Sequence, residues 1–173
     1  MNIAAATPED IEQLNKLING AYRGEQSKAG WTTEADLLDG IRTDEQSLQD
    51  LIATPGAVFL KYIENDIILG CVYLEKDKDK MYLGMLTVSP GKQDKGIGKK
   101  LLAASEKYAL EQRCTFIEMT VISARKELIA WYEKMGFLNT GETKPFPDHV
   151  RFGIPKQPLE FIVMQKKIRE LVV

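Results

Sequence analysis

Residues 1–173 read as one domain of the α/β (α+β) class, with a mixed, mostly antiparallel central sheet of about seven strands and helices on both faces. Two observations predict it. Segments with apolar residues at helical spacing alternate with segments rich in β-branched and aromatic residues. Three strand-like segments in a row, spanning 57–88, lead into a strand, helix, strand order that requires a parallel crossover.

Residues 2–6 make a short first strand, and Thr7 is placed to cap a helix with Pro8 at its first position and acidic residues in its first turn. Ile11, Leu14, Leu17, Ile18 and Tyr22 give that helix one apolar face. The polar, glycine-containing stretch 23–32 reads as a loop. Thr33 then caps a second helical stretch through Leu37, Leu38 and Ile41, continuing after Thr43 to Leu51 and Ile52 until Pro55-Gly56 stops it. Segments 57–64 and 67–75 form a hairpin about Asn65-Asp66, a charged turn covers 76–80, and 81–88 is a strand interrupted at Gly84. Ile97, Leu101, Ala104, Tyr108 and Ala109 trace a helix ending near Gln112, and 115–122 is the strand that completes the crossover. Leu128, Trp131, Tyr132 and Met135 mark a further helix that Gly136 ends in the left-handed conformation. Segments 137–143 and 159–166 are the last strands, separated by a proline-rich loop.

With 44% hydrophobic and 28% charged residues, a chain of 173 can bury a continuous core without disulfides or a structural metal. A net charge of −2 with interspersed signs offers no broad basic face, so nucleic acid is not an expected partner. No apolar run approaches the roughly 20 residues of a membrane-spanning helix. The opening segment lacks the basic start and apolar centre of a signal peptide, so the cytoplasm is the expected compartment and no membrane partner is expected. Cys71 and Cys114 sit among apolar residues and read as core packing. The sole histidine, His149, lies in a loop, so neither a Cys–His nucleophile nor a metal site is expected.

The segment Gln93-Asp94-Lys95-Gly96-Ile97-Gly98 stands where strand gives way to helix. A helix start carries unpaired amide donors and a partial positive charge, and glycines let an anion approach that backbone. Lys92, Lys95, Lys99 and Lys100 surround it, although an ordinary turn with solvated lysines has the same composition. A P-loop needs Gly-Lys-Ser/Thr, whereas Gly98 is followed by Lys99-Lys100; the dinucleotide fingerprint belongs after the first strand of a parallel unit.

Leu86-Thr87-Val88-Ser89-Pro90, the loop itself, Lys99-Lys100-Leu101-Leu102 and, downstream, the segment from Glu127 to the Tyr132…Gly136-Phe137 end resemble the two common segments of the GNAT acetyltransferase superfamily. Their order matches, and the resemblance covers nearly the whole chain. It implies acetyl-CoA as cofactor and an N-acetyltransferase that passes the acetyl group directly to a primary amine in a ternary complex. The amine would belong to an amino-acid-like small molecule, a peptide or a protein. The backbone of Leu86, Thr87 and Val88 would pair with the pantetheine arm, and the Val88 amide would stabilise the thioester oxygen as it gains charge. Amides of Gln93, Asp94, Lys95, Gly96, Ile97, Gly98 and Lys99 would hold the pyrophosphate, with Ile122, Ser123 and Arg125 bordering the cofactor. Tyr132 matches the family's tyrosine that touches the cofactor and protonates the departing thiolate. Its place on the apolar stripe with Leu128 and Met135 also fits a core aromatic.

The chain departs from the family at the general base, because the strand glutamate of some relatives is replaced here by Tyr82. Glu75, Glu118 and Glu34 are the alternatives, as is a chain of waters. Acceptor binding is expected around Tyr22, Arg23, Glu25, Trp31, Thr32, Thr33 and Glu34, and in the loop through Phe146, His149, Arg151 and Phe152. That mix of glutamate and arginine suits a zwitterion. A catalytically idle acyl-CoA-binding module is the competing expectation, and the chain is expected as a monomer or a homodimer.

Overall fold

The computed structural model describes residues 2–30, 33–93, 95–147 and 153–168. Its strands are β1 (Ile3–Ala5), β2 (Leu38–Asp39), β3 (Ala57–Glu64), β4 (Ile67–Asp77), β5 (Lys80–Val88), β6 (Phe116–Ile122), β7 (Leu138–Pro145), β8 (Ile154–Pro155) and β9 (Glu160–Lys167). The helices are α1 (Ile11–Tyr22), α2 (Gly24–Ser27), α3 (Glu45–Ile52), α4 (Ile97–Glu111) and α5 (Lys126–Lys134). Seven strands form one sheet in the order β1-β3-β4-β5-β6-β9-β7, and β2 pairs with β8 apart from it. Only β5–β6 is parallel, joined by α4 as the crossover. This is the mixed, mostly antiparallel sheet that the sequence predicts.

Helices cover both faces because each presents one apolar stripe. Leu14 and Ile18 of α1 and Leu48 of α3 are fully buried on one face with Phe59 and Tyr73. Ile97, Leu101 and Leu102 of α4 and Leu128 of α5 pack on the other with Leu74, Met81 and Ile117. Each such side chain contributes about 1.5–3 kcal/mol by leaving water. The Asn65-Asp66 turn has φ of 50° and 63°, as a tight hairpin of that hand requires. Thr7 and Asp10 close a capping box, with the Thr7 amide donating to Asp10 at 2.8 Å, although the first turn is a 3₁₀ turn and α1 proper begins at Ile11. Among the described residues no helix is long and apolar enough to cross a membrane.

Three expectations are corrected. The stretch after Thr33 is not a helix through Ile41. It is a turn, with the Ala35 amide donating to the Thr33 hydroxyl, followed by β2, whose residues pair with Ile154 and Pro155. Tertiary contacts hold it extended: the Arg23 guanidinium donates to the Ile41 carbonyl at 2.9 Å, and Asn19 captures the backbone of Arg42 and Thr43. Asp44 caps α3, accepting from the Ser47 amide at 2.7 Å. The segment read as loop after Tyr22 contains the short helix α2. In β5 the irregularity falls at Met85, not Gly84. Tyr73 faces Gly84 and Cys71 faces Thr87, so Met85 and Leu86 together oppose Val72, and Met85 takes φ of 51°. This is a β-bulge, which bends its strand and increases its twist.

Candidate active site

The bulge decides where the cleft lies. β5 and β6 pair over only three couples, Lys80–Phe116, Met81–Ile117 and Tyr82–Glu118, and then separate. Where they splay, a cavity of about 320 Å³ opens, lined by Gly84 to Leu86 of β5, Thr120 to Ile122 of β6, Tyr22 of α1, and Leu128 and Tyr132 of α5. Beyond the last couple the main-chain groups of β5 that face β6 lose their sheet partners.

Register identifies which groups these are. The Ser89 amide donates to the Leu69 carbonyl at 2.8 Å, so the neighbouring Gly70–Val88 couple is of the non-hydrogen-bonded kind. Both polar main-chain groups of Val88 therefore face away from β4, towards the splay. Thr87, one residue earlier, turns its groups to β4, and its hydroxyl donates to the Met85 carbonyl. The Leu86 carbonyl accepts from the Tyr22 hydroxyl at 2.5 Å. Of the three residues expected to present backbone to a pantetheine arm, Val88 turns both polar groups away from β4 and Leu86 turns its carbonyl to Tyr22. The Val88 carbonyl already accepts from the Gln93 side chain at 3.2 Å.

The glycine segment lies at the end of the same strand. Gly96 caps α4 with φ of 76°, a left-handed conformation suited to glycine, and a Cβ there would meet nothing within 4 Å. The space over the helix start is open. The first-turn amides have no intrahelical acceptors, so an anion can sit there. Gly98 lies against α5: a Cβ there would be in ordinary contact, 3.4 Å from the Trp131 ring. Lys95 and Lys99 are exposed beside the turn, whereas Lys100 sits over the Tyr62 ring at 5.5 Å. Ile97 anchors the turn in the core at 1% exposure. An open cradle of main-chain donors flanked by lysines fits a pyrophosphate. Asp94 lies outside the described residues.

Tyr132 is both core aromatic and cleft wall. Its ring packs edge-on against Trp131 at 5.1 Å and Phe137 at 5.7 Å, and the residue lines the cavity. Burial, with Tyr22 nearby, pushes its phenol far above the ordinary value, so it stays an O–H donor at physiological pH.

On the α1 side, Glu34 is buried between two guanidinia, Arg23 at 3.0 Å and Arg125 at 3.4 Å. Arg125, expected beside the cofactor, thus turns to Glu34 and to the Tyr22 ring, 5.6 Å away. Arg42 lies over the same ring at 5.7 Å. Sequence reasoning missed it, because its segment reads as helix surface. Ser123 does not line the cleft; its amide pairs with the Glu160 carbonyl. Glu75 and Glu118 line a second pocket, about 410 Å³, with Lys80 and Lys144. Burial raises the Glu118 carboxyl, but bonds from Gln165 and Lys80 outweigh it and hold it below its ordinary value. Tyr82, at the position of the missing glutamate, lines both cavities. Phe146 lines the cleft, while Trp31, Thr32, His149, Arg151 and Phe152 lie outside the described residues. Burial pushes the Cys71 thiol up to about 12, consistent with inert packing.

Fold and site define a mixed-sheet α/β protein with a cleft where β5 and β6 part and an open, glycine-capped helix start at the end of β5. A family model described as the acetyltransferase (GNAT) family matches residues 12–137. The chain belongs to the GNAT acetyltransferase family. Solved structures agree on the fold. The ribosomal-protein-S18-alanine N-acetyltransferase of Escherichia coli is 14% identical with a TM-score of 0.72, over 98% of this chain and 95% of that one. A ribosomal-protein-alanine N-acetyltransferase of Brucella melitensis is 20% identical with a TM-score of 0.71, over 96% and 99%. A Bacillus anthracis protein designated a streptothricin acetyltransferase, solved with acetyl coenzyme A, is 20% identical with a TM-score of 0.58, over 69% and 66%.

Proposed function

We propose that this protein transfers the acetyl group of acetyl-CoA to a primary amine, of an amino-acid-like molecule or a protein amino terminus, by direct attack in a ternary complex. The observation that carries this reading is that Leu86 and Tyr132 line one cleft where β5 parts from β6, with Val88's outward-facing main chain and the Gly96 turn following along the same strand. Bound there, acetyl-CoA supplies the acetyl group as a thioester. The amides at the start of α4 hold the pyrophosphate and fix the register of the arm along β5. The Val88 N–H is aimed where an acyl oxygen would gain charge, and such a donor contributes about 2.7–4 kcal/mol to the barrier. Tyr132 donates its O–H to the sulfur as negative charge develops. Glu34, the one carboxylate on the cleft wall among the described residues, has both oxygens committed to arginines. The amine's proton therefore leaves through water past Tyr82 towards Glu75, which faces Tyr82 across the β4–β5 ladder.

Free thiol released from acetyl-CoA in the presence of an amine panel tests the reading. Tyr132→Phe lowers kcat by about 10²–10⁴-fold while leaving the melting shift with acetyl-CoA intact. An unchanged rate returns Tyr132 to the core. The commitment of Glu34 and the loss of a carboxylate at Tyr82 favour a second reading, an acyl-CoA-binding module without turnover. It gives the melting shift and no thiol with any amine.

A further inference from the structure

Resting on that reading, we propose that the acceptor amine also carries an anionic group, a carboxylate or a phosphate, which the Arg42 guanidinium binds. Among the described residues the α1 side of the cleft carries three guanidinia, Arg23, Arg42 and Arg125, against the single carboxylate of Glu34. Glu34 is used up: one oxygen accepts from Arg23 Nε, the other from Arg125. Arg42 has no carboxylate partner among the described residues. It shares the Tyr22 ring with Arg125, their guanidinium carbons 5.7 and 5.6 Å from the centroid, so one ring at the cavity wall meets two like charges.

A solvated surface arginine would not be held this way. Asn19 of α1 accepts from the amides of both Arg42 (2.8 Å) and Thr43 (3.1 Å) through Oδ1, and its Nδ2 donates to the Thr43 carbonyl at 3.0 Å. Asn15 accepts from the same Nδ2 at 3.0 Å and steadies the amide. The backbone at Arg42 is thus fixed, and only a minor part of the residue remains accessible to water. A planar guanidinium of this kind matches a carboxylate or phosphate through paired N–H bonds. An excess of fixed positive charge at the wall repels a second ammonium, so polyamines and lysine-rich segments are poor acceptors.

Matched acceptors decide it: L-alanine against L-alaninamide, and O-phosphoethanolamine against ethanolamine, each read as kcat/KM by thiol release. At least one anionic member should exceed its neutral twin by about 10- to 100-fold, the range of one charge-assisted hydrogen bond. Arg42→Gln should collapse that ratio towards one, Arg42→Lys should restore part of it, and both variants should keep the wild-type melting shift with CoA. The pair that responds identifies carboxylate or phosphate. Neutral twins that match their anionic partners, or a ratio that survives Arg42→Gln, overturn the proposal. Should acetyl-CoA bind while no amine releases thiol, acetyl transfer is refuted, and the anion is judged by melting shifts of the CoA complex with the same pairs. Equal shifts within both pairs, or none, then overturn it.

Discussion

Removing Glu34 should be the most damaging single truncation on the cleft wall. Its side chain is 8% exposed and that of Arg23 is 5% exposed, so the pair is out of water. Glu34→Ala leaves the Arg23 guanidinium buried with only the Ile41 carbonyl to bond among the described residues, and withdraws one anchor of Arg125. Breaking a buried pair by deleting one partner costs about 3–5 kcal/mol, because an uncompensated charge stays behind. For a chain of this size each kcal/mol lowers the melting temperature by about 2–4 °C, which gives a loss of roughly 6–20 °C. Urea unfolding should show a lower midpoint with the slope unchanged. Glu34→Gln keeps the shape and one acceptor and should lose less. Lys16→Ala, which deletes an ion pair between side chains 76% and 73% exposed, should melt close to wild type. A Glu34→Ala loss no larger than that of Lys16→Ala would refute the reasoning.

Gly96→Ala should cost about 1–2 kcal/mol from the left-handed backbone alone, since a Cβ meets nothing within 4 Å. It should also weaken the stabilisation by CoA, which for wild type is about 2.7 kcal/mol at a hundred times the dissociation constant; an undiminished shift would remove the cradle from that turn. Thr43→Val should be neutral or stabilising in urea unfolding, because the Thr43 hydroxyl is buried without a hydrogen-bond partner among the described residues. For Asp10, partial burial works to raise the carboxyl, but the 2.7 Å contact with Lys61 and the Thr7 amide hold it below its ordinary 3.8. A carboxyl depressed in the folded state adds stability that is fully present above 3.8 and lost as pH falls through the lower folded value. Lys61→Met should therefore flatten the acid limb of a stability–pH profile below about pH 4, and an unaltered limb would count against the pair.

Most of the fold was legible because it rests on periods carried by neighbouring residues. The stripe from Ile11 to Tyr22, the hairpin about Asn65-Asp66 and the glycine at the start of α4 each reflect local chemistry, and each appears where the pattern puts it. The segment after Thr33 did not, because its extended form depends on Arg23, Asn19 and a pairing with Ile154 and Pro155, more than a hundred residues away. A helical spacing of Leu37, Leu38 and Ile41 cannot register bonds of that range.

The site divides along the same line. By itself the sequence determined the family and marked the proposed anion cradle, through two short motifs whose spacing is a property of the chain: Gln93 to Gly98, and Tyr132 before Gly136-Phe137. Only the tertiary structure decided what faces the cleft. The Met85 bulge and the end of the β5–β6 pairing at Tyr82–Glu118 turn Val88 towards the gap, while Glu75 stands on the far side of Tyr82 in the second pocket. Arg42 joins Arg23, Glu34 and Arg125 at the cleft wall because α1, the β2 segment and the start of α5 converge there. The physical reason is range: capping, turns and periodicity act within a few residues, whereas strand register and charge pairing act between segments that meet only when the chain has folded.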